Sequence, residues 1–261
     1  MPQVRIADKQ LEYVWHGPGP EAAPTLVFLH EGLGCVALWR DFPARLARQT
    51  GCGALVYSRA GYGNSDPIEL PRPVGFMHEE ALVTLPQVLD AFAIRAAILV
   101  GHSDGGSIAL IHAGGVGDPR ARGLILEAPH VLVEEMGLES IRAIAAEYRS
   151  GNLPKALARY HGQNVDATFW GWNDVWLNPE FRTWNIEEYL PKIRVPVLLI
   201  QGEDDRYGTL EQVRRIEAGC QGPVRTVMLA DCGHSPHLEQ PERTIEVMTE
   251  FVKEVLKFGV R

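Results

Sequence analysis

The chain has 261 residues, 46% hydrophobic and 22% charged, which is the balance of an ordinary soluble globular protein. This length is compatible with one layered α/β domain. The formal charge is −8 and no basic run is present, which argues against a nucleic-acid partner.

In chain order, Gln3–Trp15 reads as an antiparallel edge hairpin. Short Val, Ile and Leu-rich runs then recur at Thr25–His30, Ala54–Ser58, Ala97–Val100, Gly123–Leu126, Val197–Gln201 and Thr226–Leu229. Their continuous apolar character predicts strands covered on both faces, as in a parallel sheet. Helical spacing is predicted over Trp39–Gln49, Glu79–Phe92 with a local kink at Pro86, Gly105–Ala113 and Pro241–Leu256. Strand alternating with helix places a ligand site at the carboxyl ends of the strands.

One stretch breaks the alternation. Between His130 and about Leu190 no buried strand is evident, and four of the six tryptophans fall there: Trp170, Trp172, Trp176 and Trp184. A bare loop of this length would be unusual. The expected organisation is a core over 1–129, a small helical cap over 130–190 and the rest of the core over 191–261. About half or more of the cap aromatics are expected to form its own core.

The sharpest local signal is Gly101-His102-Ser103-Asp104-Gly105-Gly106, directly after Ile98-Leu99-Val100 and directly before a helical run. Ser103 then sits in a strained strand-to-helix turn that needs small neighbours and lifts its hydroxyl beside a helix N-terminus. Read blandly, the string is a glycine-rich turn; the flanking strand and helix favour a nucleophile. A serine hydroxyl needs a base. His234 in Gly233-His234-Ser235-Pro236-His237 is the candidate, with His237 as rival, more suited to positioning the loop. His30, His102 and His112 read as structural, while His130 marks the entrance to the cap. For the carboxylate that orients the base, Asp205 in Gly202-Glu203-Asp204-Asp205 is preferred, with Asp204 and Glu127 as alternatives. The order Ser, Asp, His belongs to one of the three well-known triad arrangements. The oxyanion amides are assigned to Asp104 and to Gly32 in His30-Glu31-Gly32-Leu33-Gly34.

The chain resembles the α/β-hydrolase family over essentially its whole length. The resemblance is carried by His30–Gly34, by Arg59-Ala60-Gly61-Tyr62-Gly63-Asn64-Ser65, by the turn at Ser103, by the turn at Asp205 and by Gly233–His237. It implies a three-layer α/β-hydrolase fold: a mostly parallel sheet, helices on both faces and a helical cap. It also implies a Ser103, Asp205, His234 triad acting through an acyl-enzyme. Two positions depart from the family: Glu31 replaces the usual glycine, and Asp104 replaces a small or hydrophobic residue. Both disfavour anionic substrates if they face the site, and neither matters if they point away.

The expected substrate is a small molecule: an ester, thioester or lactone with a small-to-medium apolar group. Carbon–carbon hydrolysis of ring-cleavage products is the alternative, and would ask Arg142, Arg149 or Arg182 to bind a carboxylate. A slow ligand-binding protein on the same scaffold is a third reading. No cofactor and no metal is expected. No segment approaches the roughly 18 apolar residues of a membrane span, and no signal peptide is recognisable. Cys35, Cys52, Cys220 and Cys232 lack zinc or redox spacing, which suits free thiols in the cytoplasm.

Overall fold

The computed structural model describes residues 1–258. Its centre is an eight-stranded sheet ordered β1-β2-β4-β3-β5-β6-β7-β8. The strands are β1 (Gln3–Ile6), β2 (Lys9–His16), β3 (Thr25–Leu29), β4 (Gly53–Tyr57), β5 (Ala97–His102), β6 (Ala121–Glu127), β7 (Val197–Gly202) and β8 (Val224–Leu229). β1 and β2 form the antiparallel edge hairpin, β2 pairs antiparallel with β4, and every later pairing is parallel. The three-layer, mostly parallel fold read from the alternating pattern is the one adopted.

The helices are α1 (Phe42–Thr50), α2 (Phe76–Glu79), α3 (Leu85–Ala91), α4 (Asp104–Gly115), α5 (Glu135–Ser150), α6 (Leu153–His161), α7 (Val165–Trp176), α8 (Leu210–Gly219), α9 (Pro236–Glu239) and α10 (Pro241–Phe258). Strand side chains alternate between two cores. Leu26, Phe28, Val56, Val100 and Ile200 meet Phe42 and Leu46 of α1 and Met248 and Phe251 of α10. Val27, Leu55, Leu99, Leu126 and Leu199 meet α3, α4, α8 and the helices that follow β6. Each large side chain buried this way contributes about 1.5–3 kcal/mol, so the sheet is held from both faces.

The helix expected over Glu79–Phe92 differs from expectation. It starts at Phe76, and a π-helical turn over Glu80–Thr84 joins α2 to α3. Pro86 has no N–H to give the carbonyl of Leu82, and its ring crowds that carbonyl, so the wider turn falls one turn before it. The helix expected from Trp39 begins at Phe42 instead, because Val36–Trp39 forms a separate 3-10 turn.

The chain leaves β3 toward β4 on one side and, from β5 onward, builds outward on the other. The carboxyl ends of β3 and β5 therefore flank the point where the winding direction reverses, and a crevice opens there. β3 delivers His30–Gly34 to it, and β5 delivers Ser103.

Between β6 and β7 the chain forms α5, α6 and α7 and three 3-10 turns, Gly162–Asn164, Pro179–Thr183 and Glu187–Lys192. Tyr148 of α5 stacks on Phe169 of α7 at 3.8 Å, and its hydroxyl donates to Asp166. Phe181 stacks on Trp184 at 5.1 Å. The segment is fastened to the core by Arg59–Ser65: Thr168 donates to Gly61 O, Asn164 donates to Gly63 O and Ser65 O, and the N–H of Gly63 donates to His161 Nδ1. His161 then has only Nε2–H to give, and gives it to Leu33 O at 2.9 Å. One histidine thus ties the insertion to the loop after β3. Among the described residues, no helix is long and apolar enough to cross a membrane.

Candidate active site

The elbow at Ser103 is strained as its sequence implies. Ser103 has φ 52° and ψ −116°, a region a side-chain-bearing residue adopts only when its surroundings enforce it. Enforcement comes from packing: a Cβ on Gly105 would stand 1.9 Å from the carbonyl oxygen of Leu29, so α4 reaches this close to β3 only through glycine.

The structure brings Ser103, His234 and Asp205 together across 131 and 29 residues of chain. Ser103 Oγ lies 3.0 Å from His234 Nε2, and His234 Nδ1 lies 2.8 and 2.9 Å from the two oxygens of Asp205. Asp205 also accepts from the N–H of Tyr207 and from Gln201 Nε2, at 2.8 and 2.7 Å. Burial pushes this carboxyl up, but the hydrogen bond and charge of His234 and the Tyr207 amide hold it below the usual carboxylate range. The other two acidic candidates stand elsewhere. Asp204 is exposed. Glu127 is fully buried and takes the N–H and Nδ1 of His237 on one oxygen, at 3.1 and 2.8 Å. His237 is thereby committed to holding its loop. His102 pins the same loop through His234 O at 2.7 Å.

The loop after β3 is held from below by Arg59, whose guanidinium donates to His30 O at 2.6 Å and Glu31 O at 3.1 Å. The N–H of Arg59 donates to His30 Nε2, so His30 donates from Nδ1 to Glu31 O at 2.7 Å. Across a trans peptide the N–H opposes the C=O. With Glu31 O turned to Arg59 and His30, the N–H of Gly32 points the other way. Glu31 is not among the residues with positive φ, so its substitution for glycine stores no backbone strain. Its carboxylate folds back to cap the N–H of Leu33. Trp172 of α7 covers Gly32 so closely that a Cβ there would meet the indole nitrogen at 2.1 Å.

These groups line a cavity of about 200 Å³, with Gly32, Ser103, Asp104, His130, His234 and Tyr207 among its walls and Ile141, Trp172 and Trp176 closing it from the insertion. Asp104 is wholly buried; its Oδ1 accepts from Trp176 Nε1 at 3.2 Å and its Oδ2 has no partner. Burial raises the Asp104 carboxyl, opposed by Arg59, and raises that of Glu31, opposed by the Leu33 amide. Both acidic departures thus face this region. Trp172 and Trp176 line the cavity, whereas Trp170 packs beside Tyr148 and Phe169 and Trp184 beside Phe181.

Two partners of the triad were not legible in the sequence. Gln201 sits four residues before Asp205, Tyr207 two after it, and the Tyr207 ring packs at a tilt against His234, 4.7 Å between centroids. Their spacing around the acidic turn is the one signal that points to them. The cysteines are free; Cys232, beside His234 in sequence, is buried, and burial pushes its thiol up to about 11, which makes it inert.

His130 is buried beside this site, and burial first, then the charge of His234, lowers its imidazole to about 4, against the pull of Asp205 and Glu134. Unfolding restores an ordinary histidine, so stability present above about pH 6.5 is lost as pH falls toward 4. The loss at pH 4 is on the order of 3 kcal/mol from this residue. A His130→Gln variant is expected to show a shallower fall in Tm between pH 6.5 and 4 than the unmodified chain; parallel curves would refute it.

Residues 26–247 match the model of the alpha/beta hydrolase family. The chain is 22% identical to a 2-hydroxy-6-oxo-6-phenylhexa-2,4-dienoate hydrolase of Comamonas testosteroni, over 96% of this chain and 95% of that one. It is 24% identical to a 2-succinyl-6-hydroxy-2,4-cyclohexadiene-1-carboxylate synthase of Salmonella heidelberg, over 91% and 97%. An esterase from Exiguobacterium antarcticum superposes with a TM-score of 0.77 at 20% identity, covering 96% of this chain and 98% of the esterase. With most of its length matched by the family model and its sheet ordered as described, the chain belongs to the alpha/beta hydrolase family.

Proposed function

We propose that this protein is a serine hydrolase that cleaves an ester, thioester or lactone of a small-to-medium, largely apolar substrate through an acyl-enzyme. The observation that carries the reading is the continuous chain Ser103 Oγ, His234 Nε2, His234 Nδ1, Asp205, each link at 3.0 Å or less. With Nδ1–H given to Asp205, Nε2 is left unprotonated and takes the proton of Ser103 as its oxygen attacks the carbonyl carbon. The tetrahedral oxyanion is held by the amides of Asp104, at the N-terminus of α4, and Gly32, whose orientation Arg59 supports. His234 returns the proton to the leaving group. Water then repeats the attack on the acyl-enzyme, with His234 as base, and releases the acid and free Ser103.

In this reading residues 130–190 act as a cap, closing the cavity with Ile141, Trp172 and Trp176. A volume of about 200 Å³ suits an acyl group of few carbons. Carbon–carbon hydrolysis is less well supported. Arg142 and Arg182 pair with Glu135 at the surface, and Arg149 lies over Trp170, so none of the three lines the cavity.

A panel of p-nitrophenyl esters from acetate to decanoate tests the proposal. The expected profile peaks at short chains and falls steeply beyond about six carbons, in keeping with a cavity of about 200 Å³. A flat profile, or one rising to decanoate, would overturn the size assignment. No turnover of any ester, together with no labelling by a fluorophosphonate, would overturn the acyl-enzyme.

A further inference from the structure

Most polar groups around the cavity are committed to protein partners. Ser103, His234 and Asp205 bond one another, Glu134 is held by Thr209 and Gln212, Asp104 accepts from Trp176, and Glu31 caps Leu33. His130, like Asp104 Oδ2, is left with unused hydrogen-bonding capacity. It lies just past β6, 4% exposed and lining the cavity. Its backbone is tied on both sides to Ser107 Oγ, which donates to His130 O at 2.7 Å and accepts from its N–H at 3.3 Å. The ring is set between Trp176 and His234, with centroid distances of 5.3 and 5.8 Å, and its Nδ1–Cε1 edge lies against Gly208. Yet among the described residues neither ring nitrogen has a hydrogen-bond partner.

The imidazole has neither nitrogen among the fully buried unpartnered atoms, so both stay open to the cavity that the ring lines. It is therefore poised for a group that the protein does not supply. Being uncharged at neutral pH, it offers one N–H donor and one acceptor nitrogen. That chemistry matches a hydroxyl or a carbonyl oxygen. The charge around it narrows the choice further: Glu31, Asp104 and Glu134 line the cavity, and no lysine or arginine does. A carboxylate on the substrate would meet acidic walls without a counter-charge.

We propose that His130 is a specificity-determining residue whose imidazole hydrogen-bonds a hydroxyl or keto oxygen on the acyl chain of an uncharged substrate. The site accordingly selects small oxygenated acyl groups over both their unsubstituted and their carboxylate-bearing counterparts. This rests on the acyl-enzyme reading of Ser103.

The test compares kcat/KM for p-nitrophenyl butyrate, 3-hydroxybutyrate and hemisuccinate in the unmodified protein, His130→Phe and His130→Gln. The unmodified protein is expected to favour the hydroxybutyrate over the butyrate about tenfold, the worth of one hydrogen bond, and to process the hemisuccinate worst. In His130→Phe, which keeps a packed ring, the hydroxybutyrate-to-butyrate ratio falls to about one; in His130→Gln, which keeps a donor and an acceptor, much of it survives. A ratio unchanged in His130→Phe means that the ring only packs against His234, and overturns the proposal. So does a protein that is labelled by fluorophosphonate and cleaves butyrate without preferring the hydroxylated ester, or that prefers the hemisuccinate. Absence of both labelling and ester turnover in the unmodified protein would instead defeat the acyl-enzyme reading, and this inference with it.

Discussion

Replacing Ser103 by alanine is expected to lower kcat by about 10⁶ and to abolish covalent labelling by a fluorophosphonate. The hydroxyl lies 3.0 Å from His234 Nε2, and neither Ser107 nor Cys232 can take its place. Ser107 faces away and is bound to His130 O, and Cys232 is a buried thiol turned toward its own loop. His234→Ala is expected to lose a similar factor. The double variant should lose little more than either single one, because nucleophile and base act as a unit. Additive losses in the double variant, or residual labelling at another residue, would show that Ser103 is not the nucleophile.

The second large effect is expected at Asp205. Asp205→Asn should lower kcat by about 10⁴ while the fold survives. The carboxylate is the negative charge beneath the imidazolium that forms on His234 during attack, and an amide supplies none. The fold tolerates the change because Gln201 can turn its amide: its Oε1 is buried without a partner and becomes the acceptor for the new NH₂ group. Asp204→Asn and Glu127→Gln serve as comparisons. Asp204 is exposed and Glu127 holds His237, so each is expected to stay within about tenfold of the unmodified enzyme. Pre-steady-state bursts with a p-nitrophenyl ester separate the step affected: Asp205→Asn slows the burst itself. A drop in Glu127→Gln as large as that in Asp205→Asn would move the orienting role to β6.

Several features were readable in the sequence because they depend on neighbours along the chain. The strand Ala97–His102, the glycines around Ser103 and the helix behind it form one local unit, and the apolar runs announce the parallel sheet. Asp205 could be preferred but not separated from Asp204 and Glu127. Exposure sets Asp204 aside and the bonds of Glu127 to His237 set Glu127 aside, and both depend on how β6, β7 and the loop after β8 pack. The hidden parts are contacts between distant residues. The hold of Trp172 over Gly32 spans 140 positions, and nothing around Glu31 announces that its carboxylate turns back onto Leu33. The π-helical turn before Pro86 was half visible: the proline signals a disturbance, but not whether the chain bends or widens.

The two indoles that wall the cavity also grip the catalytic framework, Trp176 at Asp104 and Trp172 over Gly32. In the proposed mechanism those are the two residues whose amides receive the developing negative charge. Admission and chemistry are therefore not independent motions. An outward swing of α7 to let a bulky molecule in would loosen both contacts at once. A guest too large for the cavity would have to displace Trp172 or Trp176 and would then disturb the two residues they hold, a filter on size that acts before any bond is broken.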